Sequence, residues 1–304
     1  MPHSSPLLPS RFPMEFLLHP FQYEFFRRGL LAAFLVGGLC GLIGVYIVLR
    51  RMSYIGHGLS HAVFGGAVIS YVLSLNFYVG AALWGFLAAL VINEVTRRRK
   101  IGADAAIGVV TTASFAMGVA LISRARKFTR NFEAALFGNI LGVTSTDLVV
   151  ILIVTLFAAM GIFFFYKQLL FSTFDEEVAR VYGVPTRRVN TLFSLILAAA
   201  IIASMQVMGV TLIAAAIVTP AITARLLTDS FSKLVGLSVL LGSLTAVVGM
   251  YLSYYLDIAS GASIVLFASL VFSGVLGYSS FRFPGQKIVP RSVSKRASEL
   301  LEDL

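Results

Sequence analysis

Long apolar stretches, broken by short polar or basic intervals, set the pattern of this chain. Stretches of spanning length run from Leu30 to Leu49, Gly58 to Leu75, Phe77 to Val95, Ala105 to Ser123 and Asp147 to Tyr166, and then from Val189 to Val207, Gly209 to Leu227, Leu234 to Leu256 and Gly261 to Gly277. A hydrocarbon core about 30 Å thick needs about 20 apolar helical residues, so the pattern predicts about eight or nine transmembrane helices. The fold class is all-α, a polytopic helical membrane protein. Two junctions, Ser74 to Phe77 and Gln206 to Val210, are very short. At each, either the flanking helices are antiparallel neighbours or one of the pair is a broken helix. A shorter apolar piece, Ala134 to Ile140, reads as re-entrant or interfacial.

Three regions follow from this pattern: an interfacial N-terminal segment (1–29), a membrane domain (30–277) and a basic tail (278–304). Residues 1–13 are polar and proline-broken, Met14 is a second possible start, and no basic start, apolar core and cleavage site follow one another as in a signal peptide. Lys and Arg are retained on the cytoplasmic side of a membrane. Placing the interval from Lys167 to Arg188 there brings Arg50, Arg51, Arg97 to Lys100, Arg225, Lys233 and the tail to the same side. The N-terminus is then outside and the C-terminus cytoplasmic, with the basic run Arg124 to Arg130 standing against the arrangement.

Composition agrees with the pattern. At 58% hydrophobic and 12% charged residues, a 304-residue chain has more apolar surface than one soluble core can hide. Its net charge of +10 belongs to the intervals between spans, which removes nucleic acid as the reason for it. Cys40 is the single cysteine and lies inside an apolar run, so disulfides and cysteine metal sites are excluded.

Candidate chemistry sits in three places. His57 and His61 are four residues apart, so on a helix their rings share one face and can share a cation, with Ser53 and Ser60 on the same stripe. Imidazole suits zinc, iron, nickel or copper. The competing reading is a pair of interfacial histidines bonded to backbone carbonyls. Glycines 56, 58, 65 and 66 around the pair allow either helix breaks or close packing. The second place is the polar interval Phe174 to Arg188. Asp175, Glu176 and Glu177 open a short amphipathic helix that contains Ala179 and Tyr182, Gly183 stops it, and Pro185 prevents its continuation. It is a docking element or an ordinary solvated loop. In the third, Pro220 breaks a helical ladder while Thr219 and Thr223 can re-satisfy freed carbonyls, giving either a kinked pore-adjacent helix or a kink alone.

In their order and spacing these pieces resemble the permease subunits of zinc- and manganese-type ABC importers. The resemblance spans Arg50 to about Phe272. It is carried by Arg51-Met52-Ser53 with Ser60-His61-Ala62-Val63, Asp104 to Gly108, Leu136 to Gly142, the 174–185 interval, Gly209 to Leu227 and Ser260-Gly261-Ala262. It implies that the interval is a cytoplasmic coupling helix docking on an ATPase, and that the metal path uses an acidic residue and a histidine four apart. His61 matches that histidine, His57 stands where an aspartate is usual, and Gly65 replaces a usual proline. A His-His pair lacks a hard oxygen and leans toward zinc or ferrous iron. The resemblance further implies a homodimer, a separate ABC ATPase and an extracytoplasmic metal-binding protein in the cell membrane, with no permanently bound cofactor and the metal as cargo. No Gly-x-x-x-x-Gly-Lys-Ser/Thr motif occurs, so ATP hydrolysis is expected in a partner and the chain is not expected to be an enzyme. Two other functions compete. A proton-coupled cation antiporter needs acids in mid-span, whereas Glu94, Asp104, Asp147 and Asp257 lie near predicted ends. A membrane metalloenzyme wants a Glu beside the histidines, where Gly58 stands.

Overall fold

A computed structural model describes residues 18–97, 103–125 and 135–282 of the chain. The expectations for residues 1–13 and for the tail beyond Arg282 lie outside these residues. A 3₁₀ turn, His19–Gln22, leads into α1 (Glu24–Leu49), α2 (Ser53–Val72), α3 (Phe77–Arg97) and α4 (Ala103–Ala125). After the short 3₁₀ turn Ile140–Gly142 come α5 (Ser145–Phe164), α6 (Tyr166–Phe174) and α7 (Glu176–Val181). The chain continues through α8 (Thr186–Met208), α9 (Ile213–Leu227), α10 (Phe231–Leu256) and α11 (Ser260–Arg282). Among the described residues, seven helices are long and apolar enough to cross a membrane: α1, α3, α4, α5, α8, α10 and α11. The protein is an all-helical polytopic membrane protein. α2 is less apolar because it carries the histidines, and α9 is short.

Close backbone approach through small residues holds the helices together, as expected where lipid removes the hydrophobic drive between them. On α1, Gly37 lies on the backbone of Gly242 and Gly41 on that of Ser238, so α1 and α10 run antiparallel. Ser238 adds a hydroxyl bond to the Gly41 carbonyl at 2.6 Å, and Ser243 one to the Phe34 carbonyl at 3.1 Å. α2 uses the same device, with Gly65 against the Ser114 backbone of α4 and Gly66 against Gly80 and Trp84 of α3. α2 is continuous through all four glycines around the histidines, and Gly58, Gly65 and Gly66 serve close packing, whereas Gly56 faces open space. A Cβ at Gly41 has no room before the Ser238 carbonyl, whereas one at Gly56 meets nothing within 4 Å. Gly41→Ala should therefore destabilise the detergent-extracted protein by about 1–3 kcal/mol. Gly56→Ala should be neutral or stabilising by up to about 1 kcal/mol. Paired thermal melts check this, and equal effects would contradict the packing role.

The two short junctions resolve differently. At Ser74 to Phe77 the helices are antiparallel neighbours, Gly66 facing Trp84 and Ser70 facing Gly80. At the other junction α9 has 15 residues, about 22 Å of helix at 1.5 Å per residue. That falls short of a hydrocarbon core of about 30 Å, so the break over residues 209–212 lies at membrane depth.

Candidate functional site

Backbone broken at membrane depth must find partners inside the protein, and here the partner is the short apolar piece expected to be re-entrant or interfacial. Asn139 N–H donates to the Gln206 carbonyl at 2.8 Å, Val210 N–H to the Ala135 carbonyl at 2.9 Å, and the Thr211 hydroxyl to the Leu136 carbonyl at 2.7 Å. Gly209 has φ 76 and ψ 150, a conformation reserved almost wholly for glycine. A Cβ there would also strike residues 136–138. Ser260, at the start of α11, accepts the Ile140 N–H at 3.0 Å and donates to the Val207 carbonyl at 3.2 Å. Three interruptions far apart in sequence thus meet at one place. Neither the Ser260 bridge nor the Asn139 side chain, which accepts Gly142 N–H at 3.1 Å, was visible in the sequence pattern, because both bond to backbone of another segment or of a loop.

α2 joins this junction through Ser60, which is fully buried and donates toward the Val210 carbonyl at 3.1 Å and the His57 carbonyl at 2.7 Å. This corrects the expected stripe. Ser60 faces into the junction, away from the exposed His57, while Ser53 is exposed at the start of the helix. α2 begins at Ser53, so both histidines are inside the helix.

His57 Nε2 and His61 Nε2 stand 3.3 Å apart, with ring centroids 4.6 Å apart. Two nitrogens about 2.05 Å from one tetrahedral cation are about 3.3 Å apart, against about 2.9 Å at octahedral corners of the same bond length. The spacing therefore suits a shared first-row cation, and equally a long hydrogen bond between neutral rings. His61 packs edge-on against Phe115 at 4.8 Å, and its buried Nδ1 has no hydrogen-bond partner among the described residues. Metal-ligating histidines usually anchor that second nitrogen, and losing such an anchor costs about 10- to 100-fold in affinity. A cation held here would be held loosely. Among the described residues no group of three or more His, Cys, Asp or Glu forms, so the pair leaves most coordination positions to water, carbonyls or a second copy.

Pro220 lies inside α9 and is buried, as is Thr223. The Thr223 hydroxyl bonds the Thr219 carbonyl at 2.7 Å. The carbonyl left without its ladder donor by Pro220 is that of Ala216, four residues back. The expected compensation by Thr219 and Thr223 is thus displaced by one turn.

The polar interval folds as a six-residue helix, α7, capped at both ends. Asp175 accepts the Val178 N–H at 2.9 Å. At the other end Gly183 has φ 80, its N–H reaches the Arg180 carbonyl at 3.0 Å, and Val184 N–H reaches the Ala179 carbonyl at 2.9 Å. That pair of bonds is a Schellman stop, which requires a left-handed residue at Gly183. Ala179 is buried, whereas Val181 and Tyr182 are 85% and 76% exposed. Apolar side chains held outward on a well-capped helix suit a docking tip better than a solvated loop. Pro185 is exposed and immediately precedes α8. At the far side of the bundle, Thr144 and Asp147 form a capping box for α5, and Asp147 also accepts a hydrogen bond from Tyr78. That acid is committed to structure. Its Thr-x-x-Asp spacing was a readable helix-start signal that the apolar count had passed over.

The family described as the ABC 3 transport family matches residues 22–278. The manganese transport system membrane protein MntC of Halalkalibacterium halodurans is 39% identical over 280 residues, 92% of this chain and 94% of that protein. The chelated iron transport system membrane protein YfeC of Yersinia pestis is 35% identical over 85% of this chain and 88% of that protein. Among solved structures, PsaBC from Streptococcus pneumoniae in complex with Fab superposes with a TM-score of 0.79 at 35% identity, covering 87% of this chain and 95% of that one. With a matching family over most of its length and relatives this similar over nearly their whole lengths, the chain belongs to the ABC 3 transport family.

Proposed function

We propose that this protein is the membrane permease subunit of an ATP-driven importer of divalent transition-metal ions, with His57 and His61 as transient ligands along the path. The approach of their Nε2 atoms to 3.3 Å, in a chain that matches a transport family over residues 22–278, carries the reading. A cation bridging two neutral imidazoles on one exposed helix face, one of them without an anchored second nitrogen, is bound weakly enough to move on. In this reading Ser53 and Ser60 on α2 and Thr219, Pro220 and Thr223 on α9 shape the path, Ser60 by fixing α2 to the broken junction rather than by touching the ion. Two imidazoles without a hard oxygen favour zinc or ferrous iron. The similar proteins are named for manganese and iron systems. Ferrous iron is the cation common to both considerations.

In this reading two copies of the chain enclose the path, and an extracytoplasmic binding protein delivers the ion. A partner ATPase docks on the segment from Asp175 to Pro185, with Glu176, Glu177, Ala179, Tyr182 and Gly183 forming or stabilising its tip. Both that segment and the C-terminus are then cytoplasmic. The decisive experiment reconstitutes the permease with its ATPase in vesicles and follows uptake of ferrous iron and zinc. Uptake should require both the ATPase and ATP. Uptake by the permease alone, driven by a pH gradient, would replace this reading with a proton-coupled antiporter.

A further inference from the structure

Arg50 follows α1 directly and is turned inward. Its Nε donates to Thr173 Oγ1 at 3.0 Å, Nη1 to Asn190 Oδ1 at 2.9 Å and Nη2 to Ser172 Oγ at 3.0 Å. Its guanidinium carbon stands 4.6 Å from the Phe193 ring centroid. One side chain thus ties the end of α1 to the end of α6 and the start of α8. Burial lowers its pKa to about 10, with Glu176 opposing that shift, so it stays charged at neutral pH.

The direct acceptors are all neutral. The carboxylate that answers this charge is Glu176, the first residue of α7, reached through Asn190, whose Nδ2 donates to Glu176 Oε1 at 3.3 Å. A buried charge is costly when its counter-charge leaves, and the planar guanidinium fork holds its partners in one geometry. If α7 shifts, Glu176 and Asn190 shift with it, and Arg50 lowers its energy by following. Behind Arg50 the chain enters α2 within two residues. Arg51 sits at φ 55, Met52 N–H reaches back to the Ile47 carbonyl at 3.0 Å, and Ile55 N–H bonds the Met52 carbonyl at 2.9 Å. His57 lies about one helical turn past the start of α2.

We infer that Arg50 is a positioning residue that relays movement of α7, through Asn190, to the helix bearing His57 and His61. The inference rests on the reading of α7 as the ATPase-docking segment. It differs from a static staple, which would only hold α6 to α8.

The test uses the full complex of permease, ATPase and binding protein in vesicles, with ferrous iron as the probe. The readout is metal imported per ATP hydrolysed. Arg50→Lys keeps the charge but loses the fork, and Asn190→Leu removes the relay at similar volume. Each should lower the ratio roughly tenfold, with ATP hydrolysis near wild type even where the lost guanidinium bonds lower the melting temperature of the complex. The double variant should be no worse than either single one. Two results would overturn the inference: transport and hydrolysis falling together with the melting temperature, as a staple would give, or a wild-type ratio in Asn190→Leu. Should Arg50→Lys fail to assemble, Asn190→Leu decides between the same outcomes. A Gly183→Val variant run alongside separates the two levels. If it transports normally, the docking reading fails. If it uncouples while the Arg50 and Asn190 variants do not, only the relay fails.

Discussion

His57→Ala should leave expression and folding nearly unchanged and should cut metal uptake by at least roughly tenfold, the smaller cost recorded when even an outer partner of a metal site is lost. Folding survives because the His57 side chain is exposed, so truncation leaves neither a cavity nor a buried unpaired group. Uptake falls because His61 alone, with its Nδ1 unanchored, offers a single weak ligand. His57→Asp discriminates further. A carboxylate four residues before His61 supplies a hard oxygen, and such ligands suit manganese better than imidazole does. Competition uptake with mixed ions should therefore shift from zinc and iron toward manganese. Wild-type uptake by His57→Ala, or an unmoved preference in His57→Asp, would leave the pair as two interfacial rings sharing a hydrogen bond.

The elements of this fold were legible where burial follows apolar period and illegible where one segment completes another. The span read as Val189 to Val207 is α8, Thr186–Met208, and Leu234 to Leu256 is the apolar body of α10, Phe231–Leu256. α2 begins five residues before its apolar stretch, because Ser53, Tyr54 and His57 are polar or amphipathic and helical at once. Likewise α1 reaches back to Glu24 through a turn that includes the ion pair of Glu24 with Arg28. The proximity of the histidines was readable from a spacing of four, since one helix turn brings such residues together without any tertiary information. The meeting of 135–142, 206–212 and 258–261 was not readable from periodicity. It depends on backbone groups satisfied across segments, which leaves only Gly, Ser and Asn at the contacts as a sequence trace. Arg50 shows the same limit. As one arginine among the basic residues beside a span, it carried information about orientation. Its three neutral acceptors lie more than 120 positions away.

Gly183→Val should uncouple ATP hydrolysis from transport while leaving the permease inserted and folded. The site has open space, with no atom within 4 Å of a Cβ placed there, so the effect comes from backbone conformation and not from a clash. At φ 80 an L side chain costs about 1–2 kcal/mol, and a β-branched one is less suited still. The segment relieves that strain by giving up its Schellman bonds, namely Gly183 N–H to Arg180 and Val184 N–H to Ala179. Release at this point frays α7 and re-aims Val181 and Tyr182, the side chains that present its apolar tip. The bundle keeps its core, because Ala179 is the one buried side chain of α7 and the contact given up is that of the exposed Tyr182 ring with Phe171. Gly183→Asn is the control, since asparagine tolerates the left-handed region. It should retain most of the transport that valine loses, by a factor of roughly ten, while both variants melt near wild type. Equal transport by Gly183→Val and wild type, with the ATPase still retained on pull-down, would return the 175–185 segment to an ordinary surface turn.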